Sequence, residues 1–211
     1  MKDHPKFKTR ISIFIIWLFG ISGIIGAASS TQDWFLSLTP LNLLLSLAMV
    51  LWHIKGYDYK VIIGLAIPFF LGFIAEALGV NFGLIFGDYI YGGNLGYKVF
   101  GVPLMICVNW TLLTATTADV AKYISKNSVI SALVGAALMT GLDLILEVSA
   151  PRFDFWEFKD GIVPIQNYIG WFITAFIAHL GYQSFEVKTN KVISWHVLVS
   201  IIIFFTVFLF I

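Results

Sequence analysis

Charge is what this sequence has least of. Asp, Glu, Lys and Arg make up 12% of its 211 residues, about half the share in a soluble domain. The formal net charge is +1, which argues against nucleic acid as a partner. One cysteine, Cys107, cannot form an internal disulfide. No His, Cys and carboxylate group has metal-ligand spacing, and no zinc helix motif occurs. Gly92-Gly93-Asn94-Leu95-Gly96 is too irregular for a dinucleotide fingerprint and follows no soluble strand. There is no low-complexity tract, and no connection is long enough for a soluble domain.

What is present is hydrocarbon, with 59% of the residues apolar. A membrane-spanning helix needs about 20 mostly apolar residues. Seven segments qualify: Ile11–Ala28, Trp34–Trp52, Val61–Val80, Pro103–Tyr123, Val129–Ala150, Asn167–Phe185 and Ser194–Ile211. The expected fold is all-α: one integral membrane domain over 1–211, a polytopic bundle of about seven transmembrane helices with two aromatic-rich outer loops. Thr39-Pro40 offers another start for the second helix, since proline suits a first turn, and would leave that helix short. The first segment has some features of a signal peptide, but its apolar run exceeds the usual length of about 7–15 residues, so it is read as a retained helix.

Lys and Arg set the orientation. Seven spans put Lys2, Lys6, Lys8, Arg10, Lys55, Lys60, Lys122, Lys126, Lys188 and Lys191 on one side, and only Lys98, Arg152 and Lys159 on the other. The positive-inside rule then predicts a multi-pass protein of the inner (cytoplasmic) membrane, with a cytoplasmic N-terminus and an external C-terminus. Both long connections, about 81–102 and 151–166, fall outside. Each is aromatic, each closes on a Gly-to-Pro step, and each follows a glutamate near a helix end. They have the pattern of a weak parallel repeat of helix–loop–helix units.

Ionisable residues within spans cost about 2.5–3.5 kcal/mol each on insertion scales and mark functional sites. Glu76, Asn109, Asp143, Glu147 and Asn167 are expected at similar depth beneath the two outer loops, with Asp119 and His179 near the inner ends. Asp143 and Glu147, four residues apart, share a helix face. They repel if both ionise, and burial penalises charge, so the pair suits holding a transferable proton. The blander alternative puts Glu147 in interfacial water and bonds Asp143 to a neighbouring helix. Glu76 lies on a stripe with Gly72, Gly79 and Gly83, which lets another helix approach. Asn109 and Asn167 also suit plain interhelical hydrogen bonding, and His179 an inner-interface position. Trp34, Trp52 and Trp195 fit interfacial belts. Tyr89, Tyr91, Trp110, Trp156 and Trp171 instead gather near the carboxylates, where aromatic faces attract cations. Such a site suits protonation of an apolar alkene, and equally a quinone or lipid pocket.

Several stretches carry a resemblance: Glu76 with Gly79; "FGDYIYGGNLGYKVFGVP" (86–103) followed by Asn109-Trp110; "DLILEVSAP" (143–151); Phe155-Trp156-Glu157-Phe158; and "GIVPIQNYIGW" (161–171). Over about residues 70–185 the chain resembles a membrane family of carotenoid biosynthesis proteins that includes carotenoid 1,2-hydratases. It departs at Glu147-Val148, where that family often has Asp-Pro, and at Phe158, where it often has Trp. The resemblance implies a cofactor-free hydro-lyase acting on a linear ψ end group. Its partners would be a membrane-dissolved carotenoid, water, the bilayer and other carotenoid biosynthesis enzymes. Catalytic roles would fall to Asp143, Glu76 and Glu147, and substrate contacts to Tyr89, Tyr91, Asn109, Trp110, Trp156, Asn167 and Trp171. A carotenoid cyclase would make the same first cation. A small proton-coupled transporter would use the same carboxylates. Both alternatives stay open at the level of sequence.

Overall fold

A computed structural model of the chain describes residues 4–211; Lys2 lies outside the described residues. Eight helices are described: α1 (His4–Ala27), α2 (Gln32–Ser37), α3 (Thr39–Trp52), α4 (Tyr59–Phe82), α5 (Leu104–Ile124), α6 (Ser128–Ser149), α7 (Ile165–Gln183) and α8 (Lys191–Val207). Four short strands join them: β1 (Tyr89–Tyr91), β2 (Lys98–Val99), β3 (Val102–Pro103) and β4 (Trp156–Phe158). By length and composition α1, α4, α5 and α6 can each cross a bilayer. The chain thus has the makeup of a membrane protein.

The expected second span is not continuous. It breaks at Leu38, and α3 begins at Thr39 with proline in its first turn. Pro40 lacks the N–H that an unbroken helix needs and has a backbone angle preset for a helix start. The helix ends differ on the two sides of the bundle. Asp58, Asn127 and Asn190 cap α4, α6 and α8 through side-chain oxygens that accept backbone N–H groups. At the other side α5 and α7 begin directly after Pro103 and Pro164, without side-chain caps.

The centre of the bundle is α5. Its interior is buried almost throughout, although it carries four threonines. Thr116 and Thr117 donate back to Leu112 O (2.8 Å) and Leu113 O (2.6 Å) of their own helix, so burial leaves these hydroxyls satisfied. Asp119 accepts from Ser194 Oγ (2.6 Å) and from Thr189 Oγ1, tying α5 to the start of α8. His179 departs from the expected inner-interface position. It is fully buried and packs so tightly on α6 that a Cβ at Gly135 would lie 2.2 Å from its Nε2. Its Nε2 lies 2.9 Å from Thr117 Oγ1.

The two long connections pair with each other. β1 and β4 run antiparallel with Tyr89 opposite Phe158, Ile90 opposite Glu157 and Tyr91 opposite Trp156. Side chains alternate across a strand, so Tyr89, Tyr91, Trp156 and Phe158 are buried while Ile90 and Glu157 face out. The first connection adds a hairpin, β2–β3. Phe100 and Gly101 at its tip both have positive φ, 50° and 82°, the mark of a type I′ turn.

The backbone of the first connection rests on α7. A Cβ at Gly170 would lie 2.3 Å from the Ile85 carbonyl oxygen, a backbone atom that cannot rotate away. Gly170→Ala is therefore expected to destabilise the protein by about 1–3 kcal/mol, read as a lowered unfolding midpoint in detergent. An unchanged midpoint would show that the connection does not dock at this point.

Candidate functional site

Three carboxylates lie beneath the paired strands, Glu76 on α4 and the pair Asp143 and Glu147 on α6. Glu76 sits on α4 between Gly72 and Gly79. A Cβ at Gly72 would lie 2.4 Å from the Trp110 ring, and one at Gly79 would lie 2.8 Å from the Tyr89 hydroxyl. The small-residue stripe therefore admits aromatic side chains rather than the backbone of another helix. Gly83 instead ends α4 in the left-handed conformation, φ 66°.

Those aromatic groups converge on Glu76, which is 3% exposed. Trp110 Nε1 donates to Oε1 at 2.9 Å. Tyr91 Oη donates to Oε2 at 2.7 Å, and Tyr89 Oη donates to the same oxygen. Burial first, and the Glu76 charge second, push both phenols above their ordinary range, so they remain protonated donors. Trp110 in turn stacks on Trp171, with centroids 4.5 Å apart and planes at 19°. Phe86 closes this group, 6.3 Å from the rings of Tyr89, Trp110 and Trp171.

The second cluster is the α6 pair. Asn167 Nδ2, from the first turn of α7, donates to Asp143 Oδ2 at 2.7 Å and to Glu147 Oε1 at 3.3 Å. Trp156 Nε1 donates to Glu147 Oε2 at 3.0 Å. Asp143 Oδ1 is buried and has no hydrogen-bond partner among the described residues. Asp143 and Glu147 thus share a face and a partner. Of the blander alternative, Glu147 in interfacial water does not hold, since it is 7% exposed, while Asp143 does bond to a neighbouring helix, through Asn167 of α7.

Two cavities meet here. A small chamber of about 20 Å³ is lined by Glu76 and Glu147, by Asn109 and Asn167, and by aromatic groups of the paired strands and Trp171. A larger cavity of about 300 Å³ runs between α1, α2, α3, α5, α6 and α8 with a mostly apolar wall. Ile106, Asn109 and Trp156 line both spaces. Asp143 lines neither. Of the expected site residues, Glu76, Glu147, Tyr89, Tyr91, Asn109, Trp156, Asn167 and Trp171 line the chamber, while Trp110 contacts it through Glu76. Phe86, Ile106 and Phe158 also line the chamber and were not expected. Phe86 and Phe158 stand inside stretches already conspicuous for their aromatics. The wall from α1 and α8 has no signal in sequence, because an apolar cavity lining and a lipid-facing surface have the same composition. Among the described residues no three His, Cys, Asp or Glu side chains are placed to hold a metal ion.

A family model described as carotenoid biosynthesis protein matches residues 38–211. The chain belongs to the carotenoid biosynthesis protein family. No curated protein and no solved structure gives a significant match. The matched range holds all three carboxylates and both connections. Family membership supports a role in carotenoid biosynthesis, and a lipophilic carotenoid suits the apolar cavity beside the chamber.

Trp110→Phe tests how Glu76 is held. It keeps a ring on Trp171 but removes a donor to a buried carboxylate. Hydrogen bonds to charged groups contribute about 1.5–3 kcal/mol, and a loss of that order is expected in detergent unfolding. Stability equal to wild type would show that the indole does not support Glu76.

Proposed function

We propose that this protein is a carotenoid hydratase that adds water across the terminal 1,2 double bond of a linear ψ end group. One observation carries this reading: a mostly apolar cavity of about 300 Å³ abuts a carboxylate-lined chamber of about 20 Å³. Ligand pockets begin at about 300 Å³, and a space of about 10–15 Å³ suffices for one water. The end of an isoprenoid chain fits the first space and a single water fits the second.

The chemistry follows from these contents. The Asp143–Glu147 pair holds one proton, and Glu147 presents it to the chamber. The π electrons of the terminal alkene take that proton at C2, leaving a tertiary cation at C1. Glu76, fixed as an acceptor by its three donors, and the Trp171 ring face stabilise the cation. The oxygen of the water forms a bond to C1. The proton that this water releases passes to the Glu147 carboxylate, which restores the acid. The product is a 1-hydroxy-1,2-dihydro end group, and no electrons are exchanged with a cofactor.

A cyclase would quench the same cation with a second alkene of the same chain. A water-sized chamber beside the reacting end favours capture by water instead. A transporter needs a polar path through the protein, whereas the small chamber that Glu76 and Glu147 line adjoins a mostly apolar cavity.

The same proposal includes topology. Seven crossings are formed by α1, by α2 and α3 together, and by α4, α5, α6, α7 and α8. The ten-to-three division of Lys and Arg supports a cytoplasmic N-terminus for a protein of the inner membrane. Reporter fusions are expected to place the two termini on opposite sides, and termini on one side would overturn the count.

The activity is tested by expressing the protein in a bacterium that accumulates an acyclic carotenoid. Wild type is expected to yield pigment heavier by one water per ψ end. Glu147→Gln should lower the yield by about 10²–10⁴-fold, the usual contribution of a general acid, and Asp143→Asn should also lower it. Pigment of unchanged mass from wild type would refute the hydratase reading. Full conversion by Glu147→Gln at equal protein level would remove Glu147 from the acid role.

A further inference from the structure

Asn109 is placed unlike the other polar groups of the site. Glu76, Asp143, Glu147 and Asn167 all hydrogen-bond within the protein. Asn109 is half-buried and lines both the apolar cavity and the small chamber, and its side chain makes no hydrogen bond to any described residue. Its neighbours at the junction supply no free polar group. Ile106, three residues earlier on the same face of α5, is apolar. The indole N–H of Trp156 is already engaged with Glu147 at 3.0 Å. At the boundary between hydrocarbon and water, one side chain therefore has donor and acceptor capacity to spare. A primary amide offers two N–H donors and a carbonyl acceptor.

We propose that Asn109 holds the attacking water at the junction and thereby decides whether the cation gains water or loses a proton. This deepens the hydratase reading and rests on it. The amide carbonyl accepts one O–H of the water, which points a lone pair of the water oxygen away from the amide toward the cavity, where C1 stands. Without that hold, the cation at C1 lasts until a base removes a neighbouring proton. The outcome is then an alkene of unchanged mass. The proton given at C2 comes from Glu147, and the proton lost from the cation returns to Glu147, so the acid is still restored. Asn109 thus acts after protonation and sets product identity rather than the first step.

The proposal separates two events that deuterated water can report apart. The solubilised protein is incubated with an acyclic ψ-ended carotenoid in D₂O, and carotenoids are analysed by mass for hydration and for deuterium in unhydrated material. Wild type is expected to give deuterated alcohol. Asn109→Leu keeps the side-chain size but has no polar atom. It is expected to lose at least about ten-fold in alcohol, a change of about 1.4 kcal/mol, while unhydrated carotenoid still acquires deuterium. Asn109→Ser keeps a hydroxyl that can bind water and should recover a substantial part of the alcohol. Alcohol from Asn109→Leu at the wild-type level would overturn the proposal. So would loss of alcohol and deuterium together in both variants at wild-type protein level and stability, since Asn109 would then serve binding or protonation. Wild type giving neither alcohol nor deuterium would instead defeat the hydratase reading itself.

Discussion

A buried carboxylate in a hydrocarbon environment must be supplied with donors, and the rest of this structure follows from meeting that requirement at Glu76. Three donors reach it, and they come from two elements: Trp110 from α5, and Tyr89 and Tyr91 from β1. Two of the three therefore depend on the connection between α4 and α5 folding back over the bundle. That connection is held in turn by β4 and by Gly170 beneath Ile85, and the Trp110–Trp171 stack ties α5 to α7 below it. An unpaired charge here would cost several kcal/mol. The strands, the glycines beside Glu76 and the tryptophan pair form one interdependent unit.

The same requirement divides the carboxylates by role. Glu76 has both oxygens occupied and is committed as an acceptor. Asp143 and Glu147 share the Asn167 amide, and one oxygen of Asp143 has no partner among the described residues. The proposed hydration takes the saturated carboxylate as a fixed negative charge and the under-supplied pair as a group able to carry a proton. In the proposed hydration these are the two needs: a stabiliser for a cation and a donor that creates it. Glu147 lines the chamber and Asp143 does not, so proximity to the reacting end favours Glu147 as the donor.

Much of this was legible in the sequence, in proportion to how unusual each residue is in its setting. Glu76, Asp143 and Glu147 stand out because charge is rare in apolar segments, and the spacing of four in the α6 pair gives their shared face. The aromatic stretches at 86–103 and 155–158 announce themselves by composition. Their pairing was not legible, because Tyr89-Ile90-Tyr91 and Trp156-Glu157-Phe158 are only three residues each, and the register is set by tertiary contact. The break at Leu38 was legible as an alternative through Pro40. The cavity wall was hidden. Gly20, Gly23, Phe204 and Phe205 line a cavity inside the bundle, but in sequence they are ordinary members of apolar spans. His179 was misplaced for a related reason: position along a helix gives depth, but not which neighbour comes close enough to cover it.

Water is a reactant in the proposed hydration. The most direct measurement is oxygen labelling: purified protein, an acyclic ψ-ended carotenoid and water enriched in heavy oxygen. The account predicts one heavy oxygen atom in each hydrated end group, with no added cofactor. Carotenoid converted without any heavy oxygen, as a cyclic or rearranged product of unchanged mass, would contradict it.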